Sequence, residues 1–152
     1  MKFARVGAAV AAAAIVVTAC GGATGGDKPL KIGISLPLSG SSLASAGPAE
    51  KGAQLAIKDF TLEGYTITVD VKDHAVNGVH DPRQGAKDTP ASAADTTVVG
   101  VIGPFNSNVA KVQIPISNEA GLFQCSQANT NPDLTKGDAG KELRAKQPDK
   151  IN

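Results

Sequence analysis

The residues best equipped for chemistry lie in two short stretches, Gly103-Pro-Phe-Asn-Ser107 and Ser126-Gln-Ala-Asn-Thr130. Each follows an apolar run that reads as a buried strand, and the first runs straight into a helix start. Binding a carboxylate needs inward-pointing donors, such as a hydroxyl and the backbone N–H groups at a helix start, where the helix dipole also favours negative charge. Ser107, with Asn106 beside it, offers that combination. Binding an ammonium group needs acceptors, which the carbonyl of Ala128 and the hydroxyl of Thr130 can supply. Together the two stretches could hold a small zwitterion by non-covalent contacts. Each residue also has a purely structural use. Asn106 or Ser107 is a good helix N-cap, and Thr130 before Asn131-Pro132 could simply stabilise a turn.

Other reactive side chains point elsewhere less well. Cys125 with His74 or His80 would make a nucleophile and a base. A catalytic thiol needs a polar, electropositive setting, whereas Leu122-Phe-Gln-Cys125 reads as an apolar strand with the cysteine buried and inert. His74 and His80, with Asp73 and Asp81, lie in a turn region without a tight metal-ligand spacing and read as surface histidines. Gly100 and Gly103 belong to neither a dinucleotide fingerprint nor a phosphate loop with its lysine. No catalysed reaction, metal or cofactor is expected.

The positioning elements follow from hydrophobic period and turn residues. Lys31–Leu36 alternates Ile32, Ile34 and Leu36 with small residues, which predicts a first strand ended by Pro37. A loop over Ser39–Gly47 follows, with Pro48 as the first residue of a helix. Ala49, Ala53, Ala56, Ile57 and Phe60 share a face of that helix, and Gly64 stops it. Thr66–Val71 predicts a second strand ending in Asp73, and Val76–Arg83 a turn region with Asn77-Gly78 and Asp81-Pro82. Gln84–Asp95 predicts a second helix, broken or shortened at Pro90. Thr97–Ile102 predicts a third strand. A third helix runs to Ala120 with Val109, Val112 and Ile116 inward, kinked at Pro115 and ended by Gly121. Leu122–Ser126 predicts a fourth strand. Strands alternating with helices imply a parallel sheet with helices on both faces, an α/β three-layer fold with strand order 2-1-3-4.

The N-terminus carries a different signal. Lys2 and Arg5 precede an apolar or small-residue run from Val6 to Val17, then Val17-Thr-Ala-Cys20. This is the plan of a secretory signal, and about 12 apolar residues fall short of the roughly 20 that span a bilayer. The last four residues resemble a bacterial lipobox, with cleavage before Cys20 and a lipid on its sulfur. Residues 1–19 then form the signal, residues 20–29 a Gly-rich tether, and residues 30–152 the ligand-binding part. The chain has 15 Lys+Arg and 14 Asp+Glu. Loss of Lys2 and Arg5 with the signal leaves a net charge of −1, with no basic footprint for nucleic acid.

The two turns and the segment between them resemble the amino-terminal lobe of the leucine/isoleucine/valine-binding proteins, the type I solute-binding proteins of amino-acid ABC importers. The resemblance runs from about Leu30 to the last residue. It implies a partial lobe of the periplasmic-binding-protein type I fold, with the second lobe absent. It also implies an extracytoplasmic, lipid-anchored, non-enzymatic protein that captures an amino acid, branched-chain by family, and delivers it to a membrane permease. Ser107 and Thr130 fall on the family's two ligand-binding hydroxyl positions and Ala128 on its carbonyl position. Ala46, before Gly47 in the first ligand loop, stands where the family often has an aromatic. Binding of an amide or urea, a sensory ligand-binding module, and an enzyme are the alternative functions.

Overall fold

The computed structural model describes residues 26–149, so the expected signal and Cys20 lie outside the described residues. In chain order the regular elements are β1 (Lys28–Leu36), α1 (Leu43–Asp59), β2 (Tyr65–Asp73), β3 (Ala75–Val76), β4 (Val79–His80), α2 (Pro82–Ala94), β5 (Val98–Ile102), α3 (Ser107–Ala120), β6 (Gln124–Cys125) and α4 (Asp138–Lys146). One 3-10 turn over Gly40–Ser42 leads into α1, and another over Pro132–Leu134 follows β6.

Four strands form one sheet in the order β2-β1-β5-β6, all pairs parallel, which is the order the sequence predicts. In β1, Ile32, Ile34 and Leu36 point to one face and Gly33 and Ser35 to the other. On the first face, Ala46 of α1 joins Ile34 and Leu36 in a buried cluster, with Ala49 and Ala53 packed against it. On the second, Ala93 of α2 packs on Val98, Val101 and Leu122. The sheet therefore lies between helical layers, and the turns after β5 and β6 emerge side by side at the carboxyl ends of their strands.

Several local expectations are corrected. β1 begins at Lys28, paired with Tyr65, so Lys28 and Pro29 of the expected tether are strand. α1 starts at Leu43 and runs through Pro48. The proline forfeits only one backbone bond there, and the buried Ala46 and Gly47 hold the preceding turn on the sheet. Helix α2 is unbroken at Pro90. Its buried face of Gly85, Thr89 and Ser92 sits in the core, and Thr89 braces the turn by donating to the Gly85 carbonyl at 2.7 Å. Tertiary packing here outweighs helix propensity. Helix α3 buries Val109, Ala110, Gln113 and Ser117, while Val112 and Ile116 are only half-buried. Gly121 ends it in the left-handed conformation, φ 66°, as glycine readily can. The fourth strand shrinks to Gln124–Cys125, and the charged segment after Lys136 forms α4.

Candidate functional site

The site begins where β5 ends. Gly103 has φ +117°, and a side chain there would overlap the carbonyl of Ser35, so only glycine lets the chain cross so closely over β1. The Gly103–Pro104 peptide is cis. Gly103 N–H donates to the Cys125 carbonyl at 2.7 Å, which places this turn against the end of β6.

Asn106 is the N-cap of α3, with its carbonyl accepting the N–H groups of Val109 and Ala110, each at 3.0 Å. Its side chain makes no capping bond. Ser107 is the first residue of α3, and its Oγ accepts the N–H of Thr130 at 3.3 Å and of Asn131 at 3.4 Å. A hydroxyl that accepts twice keeps its one hydrogen to donate. The structure thus brings Ser107 and Thr130 together.

Two residues that sequence reasoning did not single out fasten the turns to each other. Ser126 Oγ donates to the Pro104 carbonyl at 2.7 Å and accepts the N–H of Ala128 at 3.2 Å and of Asn129 at 3.0 Å. Asn129 Nδ2 donates to the carbonyls of Pro104 and Phe105, each at 3.1 Å. The only signal for them was the density of hydroxyl and amide residues in this stretch, which does not say which ones face the ligand and which the backbone. Ala128 is half-buried between these anchors and Thr130 is exposed.

Neither turn contains a charged side chain. Any ligand charge placed here meets hydroxyls, backbone dipoles and the start of α3 rather than ion pairs. The first loop approaches from β1: Ser41 N–H donates to the Gly78 carbonyl at 3.2 Å, which ties the Gly40–Ser42 turn to the β3–β4 hairpin. Ala46 is fully buried beneath this loop with Ile34 and Leu36. Its side chain is a core contact, and α1 reaches back over the segment expected to be loop.

The competing reactive groups separate. Cys125 is exposed, not buried, because Phe123 and Cys125 lie on the uncovered face of the edge strand. His74 is fully buried, not on the surface, and its ring meets Ser35 at 3.1 Å on the opposite face of the sheet. Burial lowers its pKa below the ordinary value. Asp73 accepts the N–H groups of Leu38 and Ala75 at 2.7 and 2.8 Å. Asp81 caps α2 through the Arg83 N–H at 2.7 Å, and the Arg83 guanidinium holds its carboxyl below the usual range. The carboxylates thus serve the backbone and a neighbouring cation. Among the described residues, no cluster of three or more His, Cys, Asp or Glu could hold a metal ion.

A parallel α/β sheet whose adjacent strands end in two linked polar turns has the open-sheet architecture, in which ligands bind beyond the carboxyl ends of the strands. No protein-family model matches the chain. It is 34% identical over 131 residues to the Leu/Ile/Val-binding protein homolog 1 of Brucella abortus, covering 84% of this chain and 33% of that protein. Among solved structures it resembles the branched-chain amino acid transporter substrate-binding protein LivJ from Streptococcus pneumoniae, in complex with isoleucine. The TM-score is 0.64 and the identity 30%, over 72% of this chain and 32% of that one. The ABC transporter substrate-binding protein from Desulfitobacterium hafniense in complex with Leu gives a TM-score of 0.61 at 25% identity, over 73% and 32%. By sequence and fold the chain is a relative of the branched-chain amino acid substrate-binding proteins of ABC transporters, and it carries part of their type I periplasmic-binding fold. These relatives are transport binding proteins rather than enzymes. The chain spans about a third of the length of the curated relatives it matches.

Proposed function

We propose that this chain supplies one wall of an extracytoplasmic site that captures a branched-chain amino acid for an ABC importer. The observation that carries the reading is the Ser107–Thr130 contact, which places two hydroxyl-bearing residues at the ends of adjacent strands. The ligand carboxylate is met by the Ser107 O–H and the first N–H groups of α3. The ammonium group is met by the Ala128 carbonyl and the Thr130 hydroxyl. Asn106 holds the turn between them. The remaining length of the relatives would supply the opposing wall and the surface that meets the permease.

Titrating the nitrogen-15-labelled chain with leucine tests this. Shifts should concentrate on Phe105–Ser107 and Ala128–Thr130 and vanish in Ser107→Ala. Shifts confined to other surfaces would overturn the assignment.

Membrane attachment is a second part of the proposal. Val17-Thr-Ala-Cys20 after a short apolar run supports cleavage before Cys20 and lipidation of its sulfur, with residues 20–29 as a tether grading into β1. Mass spectrometry of the membrane fraction should find acylated Cys20 as the N-terminus. A protein that retains residues 1–19 would overturn it.

A further inference from the structure

His74 has no exposed surface, and the binding reading above makes no use of it. Its backbone is tied at two points, the N–H donating to Leu36 O at 3.1 Å and the carbonyl accepting Asp81 N–H at 2.8 Å. The ring is therefore held between the end of β1 and the start of α2.

The hydrogen-bond directions around the ring can be assigned from donors that cannot act as acceptors. Gln113 Nε2 donates to the Gly85 carbonyl at 3.1 Å and to Ser35 Oγ at 3.2 Å. Its amide orientation is fixed by the Gly85 carbonyl, which can only accept, and its Oε1 then accepts from Gln124 Nε2 at 3.0 Å. Ser35 Oγ is thus an acceptor toward Gln113, and among the described residues His74 Nδ1, 3.1 Å away, is the only acceptor within reach of its own hydrogen, so Ser35 donates to Nδ1. Nδ1 is then the unprotonated nitrogen, and a neutral ring carries its proton on Nε2. Nε2 is buried without a standard hydrogen-bond partner, and so is Oδ1 of Asn106. The Asn106 side chain acts on the ring as a hydrogen-bonding group, and with Nδ1 engaged by Ser35, Nε2 is the ring nitrogen left to meet it.

We propose that His74 is a positioning residue for the ligand turn: a neutral imidazole protonated on Nε2, it aligns the Asn106 side-chain oxygen and so fixes the first turn of α3, on which Ser107 stands. The consequence for binding rests on the amino-acid reading of the Ser107–Thr130 site, but the ring state does not. Burial is the largest influence and favours the neutral ring, as does His80, while the Asn106 side chain, Asp73 and Asp88 favour the charged one. A second proton on Nδ1 would also take away the acceptor of the Ser35 hydrogen.

The ring state can be read on the full 152-residue chain without ligand. Long-range proton–nitrogen correlation at neutral pH should show His74 as the Nε2–H tautomer, and an Nδ1–H tautomer would overturn the proposal. Asn106→Asp places a carboxylate against Nε2 and should move the His74 titration upward by about one pH unit or more; an unmoved titration would also overturn it. In leucine titrations, His74→Gln, whose amide N–H can replace Nε2–H, should stay within about threefold of wild type. His74→Leu should weaken binding about tenfold, and equal affinity in the two variants would overturn the positioning role. Should His74→Leu fail to fold, the tautomer and the Asn106→Asp titration still decide. Wild-type protein that ignores leucine while showing the Nε2–H tautomer would remove the amino-acid reading and leave the ring assignment standing.

Discussion

The Ser107 hydroxyl oxygen accepts the backbone N–H of Thr130 at 3.3 Å, a contact between residues 23 positions apart. The strand register accounts for it. Ile102 pairs with Cys125, and each hydroxyl residue lies five positions beyond its paired strand residue (107 − 102 and 130 − 125). Two parallel neighbours of equal onward length deliver their turns to the same place. The meeting of the two turns is thus a product of strand pairing, with Ser126 and Asn129 as fasteners.

Asn129→Ala should loosen that fastening. It removes both side-chain bonds to the carbonyls of Pro104 and Phe105. The carbonyls are partly reachable by water, so the expected loss is about 1–3 kcal/mol in urea unfolding. Thr130 and Ser107 amide signals should broaden as well, since the two turns are no longer held in register.

Gly103→Ala should be far more damaging than its size suggests. The residue sits at φ +117° and its new methyl group would overlap the Ser35 carbonyl in the middle of the sheet. Strain of this kind combined with displacement of buried backbone should cost about 3 kcal/mol or more. Gly52→Ala, on an exposed helix position with open space, is the control and should be neutral or stabilising.

The order of elements and the sheet topology were legible because apolar runs such as Ile32–Leu36 and Val98–Ile102 alternate with helical segments. Ser107 and Thr130 were legible as hydroxyl residues in turns beyond strand ends, where the structure joins them. What the sequence hid is what polar side chains do inside. Gln113 and Ser117 are almost fully buried, and an apolar-periodicity reading of α3 looks past them to Val112 and Ile116. His74 reads as a surface residue because its partner Ser35 lies 39 positions away, and Gln113, which bonds Ser35 in turn, lies 78 positions from Ser35. Prolines 48 and 90 were read by propensity, which tertiary packing overruled. Cys125 was read from its apolar neighbours, although an edge strand leaves one face uncovered.

The pH dependence of stability should carry the mark of His74. Its folded-state pKa lies below the ordinary value of 6.5 because burial disfavours the charged ring. Above that value neither state binds the proton, and the contribution is flat. Below it the unfolded chain takes up a proton that the folded chain refuses, so stability falls as pH falls, by at most about 1.4 kcal/mol per pH unit. Denaturation midpoints between neutral pH and about pH 5 should show this slope. His74→Gln should flatten it, and an unchanged slope would assign the effect elsewhere.

The uncovered sheet face predicts self-association. Phe123 is 63% exposed and Phe60 58%, and together with Val99 and Cys125 they border an apolar groove of about 480 Å³ beside α1. Contiguous apolar surface of this kind favours association or aggregation. Sedimentation of the isolated chain should show concentration-dependent species under reducing conditions. Phe123→Lys should reduce them and lower binding of an apolar dye, without changing the turns after β5 and β6.

Leucine affinity should be weak for this chain by itself. A micromolar site corresponds to about −8 kcal/mol. Ser107, the first N–H groups of α3, Ala128 and Thr130 can supply charge-assisted bonds of roughly 1.5–3 kcal/mol each when shielded. Here Thr130 is exposed and Ser107 only half-buried, so water competes for each bond. The groove of about 370 Å³ beside these turns, with Ala110, Ile114 and Leu134 in its lining, encloses an aliphatic side chain only in part, and the matched relatives are about three times as long. Losing about half of the binding energy moves the dissociation constant to roughly 1 mM. Amide shifts in a leucine titration should therefore saturate only in the millimolar range. Ser107→Ala should abolish them while costing only about 1 kcal/mol of stability, since the N–H groups it releases can turn to water. Micromolar leucine binding by the monomeric chain would show that this wall alone suffices.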